Sequence, residues 1–186
     1  MLDVAIVGGG VCGLALAHSL HARRLDWALY EARPRLGGRV LTRRTAHGVA
    51  VDLGPSWFWP TNNPSLARLV ADLGLATIEQ PDDGRVLLLD DAGQPPRLLP
   101  LHPATGTLAE GMVPEPGAVH GGAQRLAEGM TALVDAFAGT LPAARIHLAQ
   151  PIARLVDAGD HVVLHLRGGS TVQARRVVLE IGRAHV

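Results

Sequence analysis

The chain has 186 residues, enough for one core-bearing domain or a domain with a small insertion. It is 47% hydrophobic and 18% charged, and 17 Lys+Arg balance 17 Asp+Glu, so no net field draws it to nucleic acid or an anionic membrane. One cysteine and nine histidines without ligand spacing leave no disulfide framework and no evident metal site.

Leu2 to Val7 is a short, continuous apolar run and reads as a buried parallel strand. The strand begins at once, with no basic leader before it, and no apolar run approaches the ~18 residues that span a bilayer. A cytoplasmic protein with neither a nucleic-acid nor a membrane partner is the expectation. Gly8 to Gly10 then turn the chain into a helix over Val11–Arg23, with Leu14, Ala17 and Leu20 on one face. Trp27–Tyr30 is a second strand that ends at Glu31, and Arg33–Gly38 is a loop.

Val40–Thr42 and Val49–Leu53 read as strands turned at His47-Gly48. Pro64–Leu73 reads as a helix opened by Pro64 and stopped by Gly74. Arg85–Leu89 is a short strand, and residues 90–121 are loop, with one brief strand at Arg97–Leu99. Helical spacing returns over Gly122–Phe137. Ile146–Leu148 is a strand, Ile152–Val156 and His161–Leu166 form a hairpin turned at Ala158-Gly159, Thr171–Ala174 continues it, and Arg176–Leu179 returns as a buried strand.

The chemistry concentrates at the first turn. Gly8, Gly10 and Gly13 meet the pattern Gly-x-Gly-x-x-Gly between a strand and a helix. Gly8 makes the tight turn, Gly10 admits a pyrophosphate against the backbone, and Gly13 lets helix and strand approach. Val11, Cys12 and Gly13 open the helix, whose free N–H groups and dipole favour phosphate. Glu31 ends the second strand, where a carboxylate accepts hydrogen bonds from ribose hydroxyls and repels a 2′-phosphate. This pattern defines a dinucleotide site and leaves NAD and FAD both open.

The stretch Glu31-Ala32-Arg33 followed by Arg35-Leu36-Gly37-Gly38-Arg39 resembles the signature of flavin-dependent amine oxidases, a superfamily that includes phytoene-desaturase-like and protoporphyrinogen-oxidase-like enzymes. The resemblance implies FAD as cofactor, with Glu31 on the adenosine ribose and Ala32, Arg33, Gly37, Gly38 and Arg39 along it. Arg35 reads as a solvated arginine. Val51-Asp52-Leu53-Gly54-Pro55-Ser56-Trp57-Phe58 resembles the run that lies near the flavin ring, which brings Gly54, Pro55, Ser56 and Trp57 to the cofactor. Pro55 replaces a glycine common there and removes an N–H. Trp57, Phe58 and Trp59 suit a cofactor or substrate wall and a packed core equally. Asp52 is the nearest acid and reads as structural.

Gly121–Met130 resembles the helix by which the family chain re-enters its FAD domain. Ile152 matches a position placed against adenine, and a plain apolar strand residue there is an equal reading. The resemblance implies an α/β, Rossmann-like FAD-binding fold in three layers, a parallel sheet plus a β-meander, with a short, incomplete substrate-domain insertion. FAD-binding segments are expected at 1–60 and 121–179, with the substrate-domain excursion at 61–120. The family strand ending in Val-Val runs on through alanine to a proline. Here Glu180 follows instead, and Ile181–Val186 matches a reading frame of a common sequencing adapter, so 180–186 is expected to be a non-native tail.

The implied reaction is oxidation of an amine by hydride transfer to flavin N5, with O2 as acceptor. No general base is evident, and the family's remaining catalytic residues lie in parts without a counterpart here, so this chain alone is expected to be inactive. The alternatives are a desaturase or isomerase of the same superfamily, and a non-catalytic or NAD-dependent dinucleotide-binding module.

Overall fold

The computed structural model describes residues 1–80, 85–89, 93–100 and 122–180. In chain order these form β1 (Leu2–Val7), α1 (Val11–Ala22), β2 (Trp27–Tyr30), β3 (Thr42–Arg44) and β4 (Ala50–Asp52). Then come α2 (Pro64–Asp72), β5 (Thr77–Glu79), β6 (Arg85–Leu88), β7 (Arg97–Pro100) and β8 (Gln124–Leu126). The last part holds α3 (Thr131–Gly139), β9 (Ile146–His147), β10 (Ile152–Asp157), β11 (Val162–Leu166) and β12 (Thr171–Leu179). The chain divides into two compact units, Met1–Pro55 with Glu128–Val186, and Ser56–Ala127.

The first unit is built on one six-stranded sheet ordered β10-β11-β12-β1-β2-β9. β12, β1, β2 and β9 run parallel, and β10, β11 and β12 form an antiparallel meander. The two parts share β12. Its first residues pair with β11 as far as Ala174, and from Ala174 onward it pairs with β1. The sequence reads Thr171–Ala174 and Arg176–Leu179 as two strands, the second buried. They are one strand, and Val178 and Leu179 at its end are exposed.

The core follows from the apolar runs. Ala5, Ile6, Trp27 and Leu29 are fully buried in β1 and β2, as parallel strands covered on both faces must be. α1 buries Gly13, Leu14, Ala17 and Leu20 and packs against α3, which buries Leu133, Val134 and Phe137. Ala5, Ala28, Tyr30, Leu164, Leu166 and Ala174 make a separate cluster, joined by the partly buried Ile152 and Val177. Burial raises the Tyr30 phenol above its ordinary pKa. β3 and β4 pair antiparallel around Gly48 (φ +80°), displaced toward Arg44 from the strand expected at Val40–Thr42.

In the second unit α2 ends at Asp72 and the chain turns away at Gly74 (φ +65°), β5 pairs with β8, and β6 pairs with β7. The expected helix over Gly122–Phe137 is corrected: Gln124–Leu126 is strand, and helix begins only at Thr131. Gly129 has φ +83°, outside helical backbone, and a Cβ there would lie 2.3 Å from the Thr42 methyl. Apolar spacing alone did not reveal that break. Of the loop expected over 90–121, residues 90–92 and 101–121 lie outside the described residues, as do 181–186. Among the described residues no helix is long and apolar enough to cross a membrane.

Candidate functional site

β1 lies between β2 and β12, and the chain leaves its carboxyl end through the glycine turn into α1. α1 carries the chain to β2 on one side, while β12 flanks β1 on the other. The turn thus lies at a topological switch point, where open α/β sheets bind ligands. Gly8 (φ +116°) donates its N–H to the Tyr30 carbonyl at 2.9 Å. A Cβ on Gly13 would lie 2.1 Å from the Gly8 carbonyl oxygen, so only glycine lets helix and turn approach this closely. α1 begins after Gly10 with no side-chain cap and no acid in its first turn. Its first amides have no intrahelical acceptor and face outward for an anion.

Glu31, 8% exposed, ties this turn to the next loop. One carboxylate oxygen accepts the Gly9 N–H at 2.7 Å and the other accepts the Arg33 N–H at 2.8 Å. Gly9, absent from the three-glycine pattern, is therefore part of the constellation. An ionised carboxylate has further lone pairs, so Glu31 keeps acceptor capacity for ribose hydroxyls. Gly37 donates to the Gly9 carbonyl at 2.8 Å and bridges Gly10, and a Cβ on Gly38 would stand 3.3 Å from the Gly10 Cα. The two glycine clusters are one backbone surface.

Arg35, expected to be solvated, instead organises this surface. It is partly buried, and its guanidinium donates to the carbonyls of Leu36 (2.9 Å), Val40 (3.2 Å) and Gly38 (2.9 Å). The loop curls back on itself with Gly37 (φ +98°) and Gly38 (φ +57°) in left-handed backbone, and the arginine fork fills the ring of carbonyls this creates. Arg33 donates to the Gly38 carbonyl at 3.1 Å. Arg39 is exposed, and its guanidinium has no hydrogen bond or ion pair with the described residues, which leaves a free cation beside the glycine pair.

The remaining expected residues fall in different places. Val11 and exposed Cys12 lie in the first turn of α1, and Ala32 is exposed beside Glu31. A Cβ on Gly54 would lie 2.1 Å from the Arg39 carbonyl oxygen, so Gly54 packs directly under the loop, with Pro55 next to it. Ser56 and Trp57 belong to the second unit. There Trp57 is 40% exposed and meets Trp59 edge to face, while Phe58 is buried and exchanges backbone hydrogen bonds with Gln124. Ile152 is partly buried and packs with the meander cluster. Asp52 accepts from Thr42 Oγ1 and from the Met130 N–H at 2.9 Å, a structural role. A shallow depression of about 500 Å³ at the N-terminal strand ends, lined by Met1, Arg145 and Gln173 among others, holds none of the expected site residues.

The cradle can be tested for an anion. The Glu180 carboxylate is lodged in it, accepting the Gly10 N–H at 2.7 Å, and Cβ atoms on Gly8 and Gly10 would collide with that side chain. A carboxylate is a stand-in for a phosphate oxygen pair, so these glycines fit a dinucleotide phosphate. Among the described residues no cluster of His, Cys, Asp or Glu could hold a metal ion.

This architecture defines a Rossmann-like dinucleotide-binding fold with a mixed parallel and antiparallel sheet. Residues 6–73 match the family described as an NAD(P)-binding Rossmann-like domain, and residues 115–179 match flavin containing amine oxidoreductase. The chain is 48% identical over 75 residues to flavin-containing amine oxidase B of Homo sapiens, an alignment covering 40% of this chain and 14% of that enzyme. Among solved structures, a putrescine oxidase bound to putrescine superposes with a TM-score of 0.77 at 21% identity. Cyclohexylamine oxidase from Brevibacterium oxydans IH-35A superposes with 0.76 at 18%. Each covers 97% of this chain, which spans 58% of theirs, and at these identities the likeness establishes the fold. Residues 115–179 thus match part of the flavin-dependent amine oxidase family, the chain spans 14% of the curated relative's length, and the match supports FAD as the cofactor.

Proposed function

We propose that the first unit holds the adenosine diphosphate half of FAD and that the whole protein is an FAD-dependent oxidoreductase acting on an amine, with O2 as acceptor. Gly8, Gly10, Gly13 and the first amides of α1, at Val11 and Cys12, would receive the pyrophosphate, and Glu31 the adenosine ribose. Arg33, Gly37, Gly38 and Arg39 would line the path beyond, with Gly54 and Pro55 beneath it. Arg35 holds that path in shape. The observation that carries the reading is the shared backbone surface of the two glycine clusters, with a carboxylate in the phosphate position. When bound, FAD would supply a two-electron acceptor, and nothing in the described site acts as a base.

The amine substrate is supported by the family match and by the amine oxidases among the relatives. The test is the absorption spectrum of the purified full-length protein, followed by peroxide release with primary, secondary and polyamines. Flavin bands with amine-dependent peroxide are expected. Retained nicotinamide without flavin would overturn the cofactor assignment. Flavin without peroxide from any amine would overturn the substrate class and favour a desaturase or isomerase.

A further inference from the structure

The depression of about 500 Å³ belongs wholly to the first unit and has the size of a small-ligand site. β2 supplies its main wall. Successive residues of that strand point to opposite faces of the sheet. Trp27 meets His21 of α1 edge to face, while Ala28 and Tyr30 pack with Leu164, Leu166 and Ala174 of the meander. Tyr30 stacks on His147 of β9, ring centroids 4.8 Å apart and planes 17° apart. Leu2, Ala28 and Val172 add apolar surface. Two polar groups in this wall are left unused by the fold. Tyr30 is only 7% exposed, yet its hydroxyl forms no hydrogen bond with the described residues, and burial alone raises its pKa. Arg145 commits Nη1 to Asp26 Oδ1 at 2.6 Å and to the Trp27 carbonyl at 2.7 Å. Its Nε and Nη2 make no hydrogen bond with the described residues. Arg145 is also the one lining side chain with a fixed charge, and no acid lines the depression.

We propose that this depression is a second small-molecule site, for an aromatic carboxylate, with Arg145 and the Tyr30 hydroxyl as donors to the anion and its ring laid against Leu2, Ala28 and Val172. The chemistry of the wall selects that class. A neutral phenol donates to a carboxylate, and the free edge of a guanidinium offers one two parallel N–H groups. A cationic ligand would meet Arg145 with no lining acid to hold it. A purely apolar ligand would leave the Tyr30 hydroxyl buried without a partner. A flat ring suits a wall that is itself a stacked aromatic pair. The site is independent of the dinucleotide reading. Tyr30 and His147 touch the glycine turn and its acid only through backbone: the Tyr30 carbonyl accepts the Gly8 N–H and the His147 carbonyl accepts the Glu31 N–H, both at 2.9 Å. A change confined to the Tyr30 side chain leaves those contacts in place.

The experiment titrates benzoate, and benzyl alcohol as its uncharged counterpart, into the 186-residue chain and into its Y30F and R145K variants. Binding is followed through the imidazole resonances of His147, with urea unfolding of the unaltered chain and Y30F in parallel. Saturable His147 shifts with benzoate are expected, and benzyl alcohol is expected to bind at least ~10-fold more weakly. Y30F is expected to bind benzoate about 10-fold more weakly, the effect of one hydrogen bond to a charged group. It is expected to unfold at the same urea concentration, because the hydroxyl it loses has no partner in the protein. R145K, which keeps the charge and loses the fork, is expected to weaken benzoate by a similar factor. Benzoate that leaves His147 unmoved, benzyl alcohol bound as tightly as benzoate, or undiminished benzoate affinity in either variant would overturn the proposal. Unfolding of Y30F at lower urea would show the hydroxyl already partnered within the protein, and would overturn it as well.

Discussion

Among the described residues the first unit contains two α-helices, α1 and α3, and their N-termini are built differently. At α3 the donors are consumed from within: the Met130 N–H bonds Asp52 and the Thr131 N–H bonds Thr42 Oγ1 at 2.9 Å. The Thr131 hydroxyl in turn accepts the Thr42 N–H at 2.7 Å. At α1 there is no side-chain cap in the helix's own sequence and no acid in the first turn. Both helices pack on each other and both bury three or more apolar residues, so packing does not explain the difference. A helix end closed by its neighbours is a structural joint. One built from glycines, with no cap in its own sequence and a carboxylate on the Gly10 N–H, is shaped for an anion.

The sharpest way to break this contrast is at Gly13. Alanine there would set a methyl 2.1 Å from the Gly8 carbonyl oxygen and force the turn off the helix. G13A is expected to lose about 3 kcal/mol of stability in urea unfolding, together with nucleotide binding. E31A comes next. It leaves the Gly9 and Arg33 amides without their acceptor, and about 2 kcal/mol is the expected loss, again with loss of nucleotide binding. D52A opens the α3 joint instead. It should cost about 1 kcal/mol, as other lost caps do, and leave nucleotide affinity unchanged. A D52A protein that loses affinity while stably folded would place the wrong helix at the ligand.

The smallest effect is at Tyr30, the only tyrosine, so the ultraviolet titration of the phenol reports on it alone. Burial favours the neutral phenol, and its folded pKa stands above the ordinary 10.0. Its contribution to stability is therefore complete below pH 10 and is lost as pH rises from there through the folded pKa. Tyrosinate forming at the ordinary pH in the folded protein would show that the cluster with Ala28 and Leu164 is open to water.

Much of the first unit was legible because its signals are local. A continuous apolar strand, three spaced glycines, a helical stripe and a terminal glutamate all fall within Leu2–Glu31, and the structure places them as read. The same held for the hairpin around Gly159. What stayed hidden depends on partners distant in sequence. Gln124–Leu126 became strand by pairing with Thr77–Glu79, two short segments whose registers neither reveals alone. Thr42 and Thr131 exchange bonds across 89 positions, and Gly10 and Glu180 across 170. Arg35 carries no periodicity; its role emerges only once Gly37 and Gly38 take left-handed backbone and aim carbonyls at it. The doubled arginines around Gly37-Gly38 were the available signal, since a fork suits a ring of carbonyls as well as a phosphate.

The central claim is that the glycine-built end of α1, and not the capped end of α3, receives the nucleotide. The most direct measurement is a titration of the isotope-labelled chain with ADP, followed through its backbone amide resonances. Shifts concentrated at Gly8–Gly13, Glu31, Arg33 and Gly38, with Met130 and Thr131 unmoved, are expected. Shifts centred on Met130 and Thr131, or a saturating response that leaves Gly8–Gly13 untouched, would contradict it.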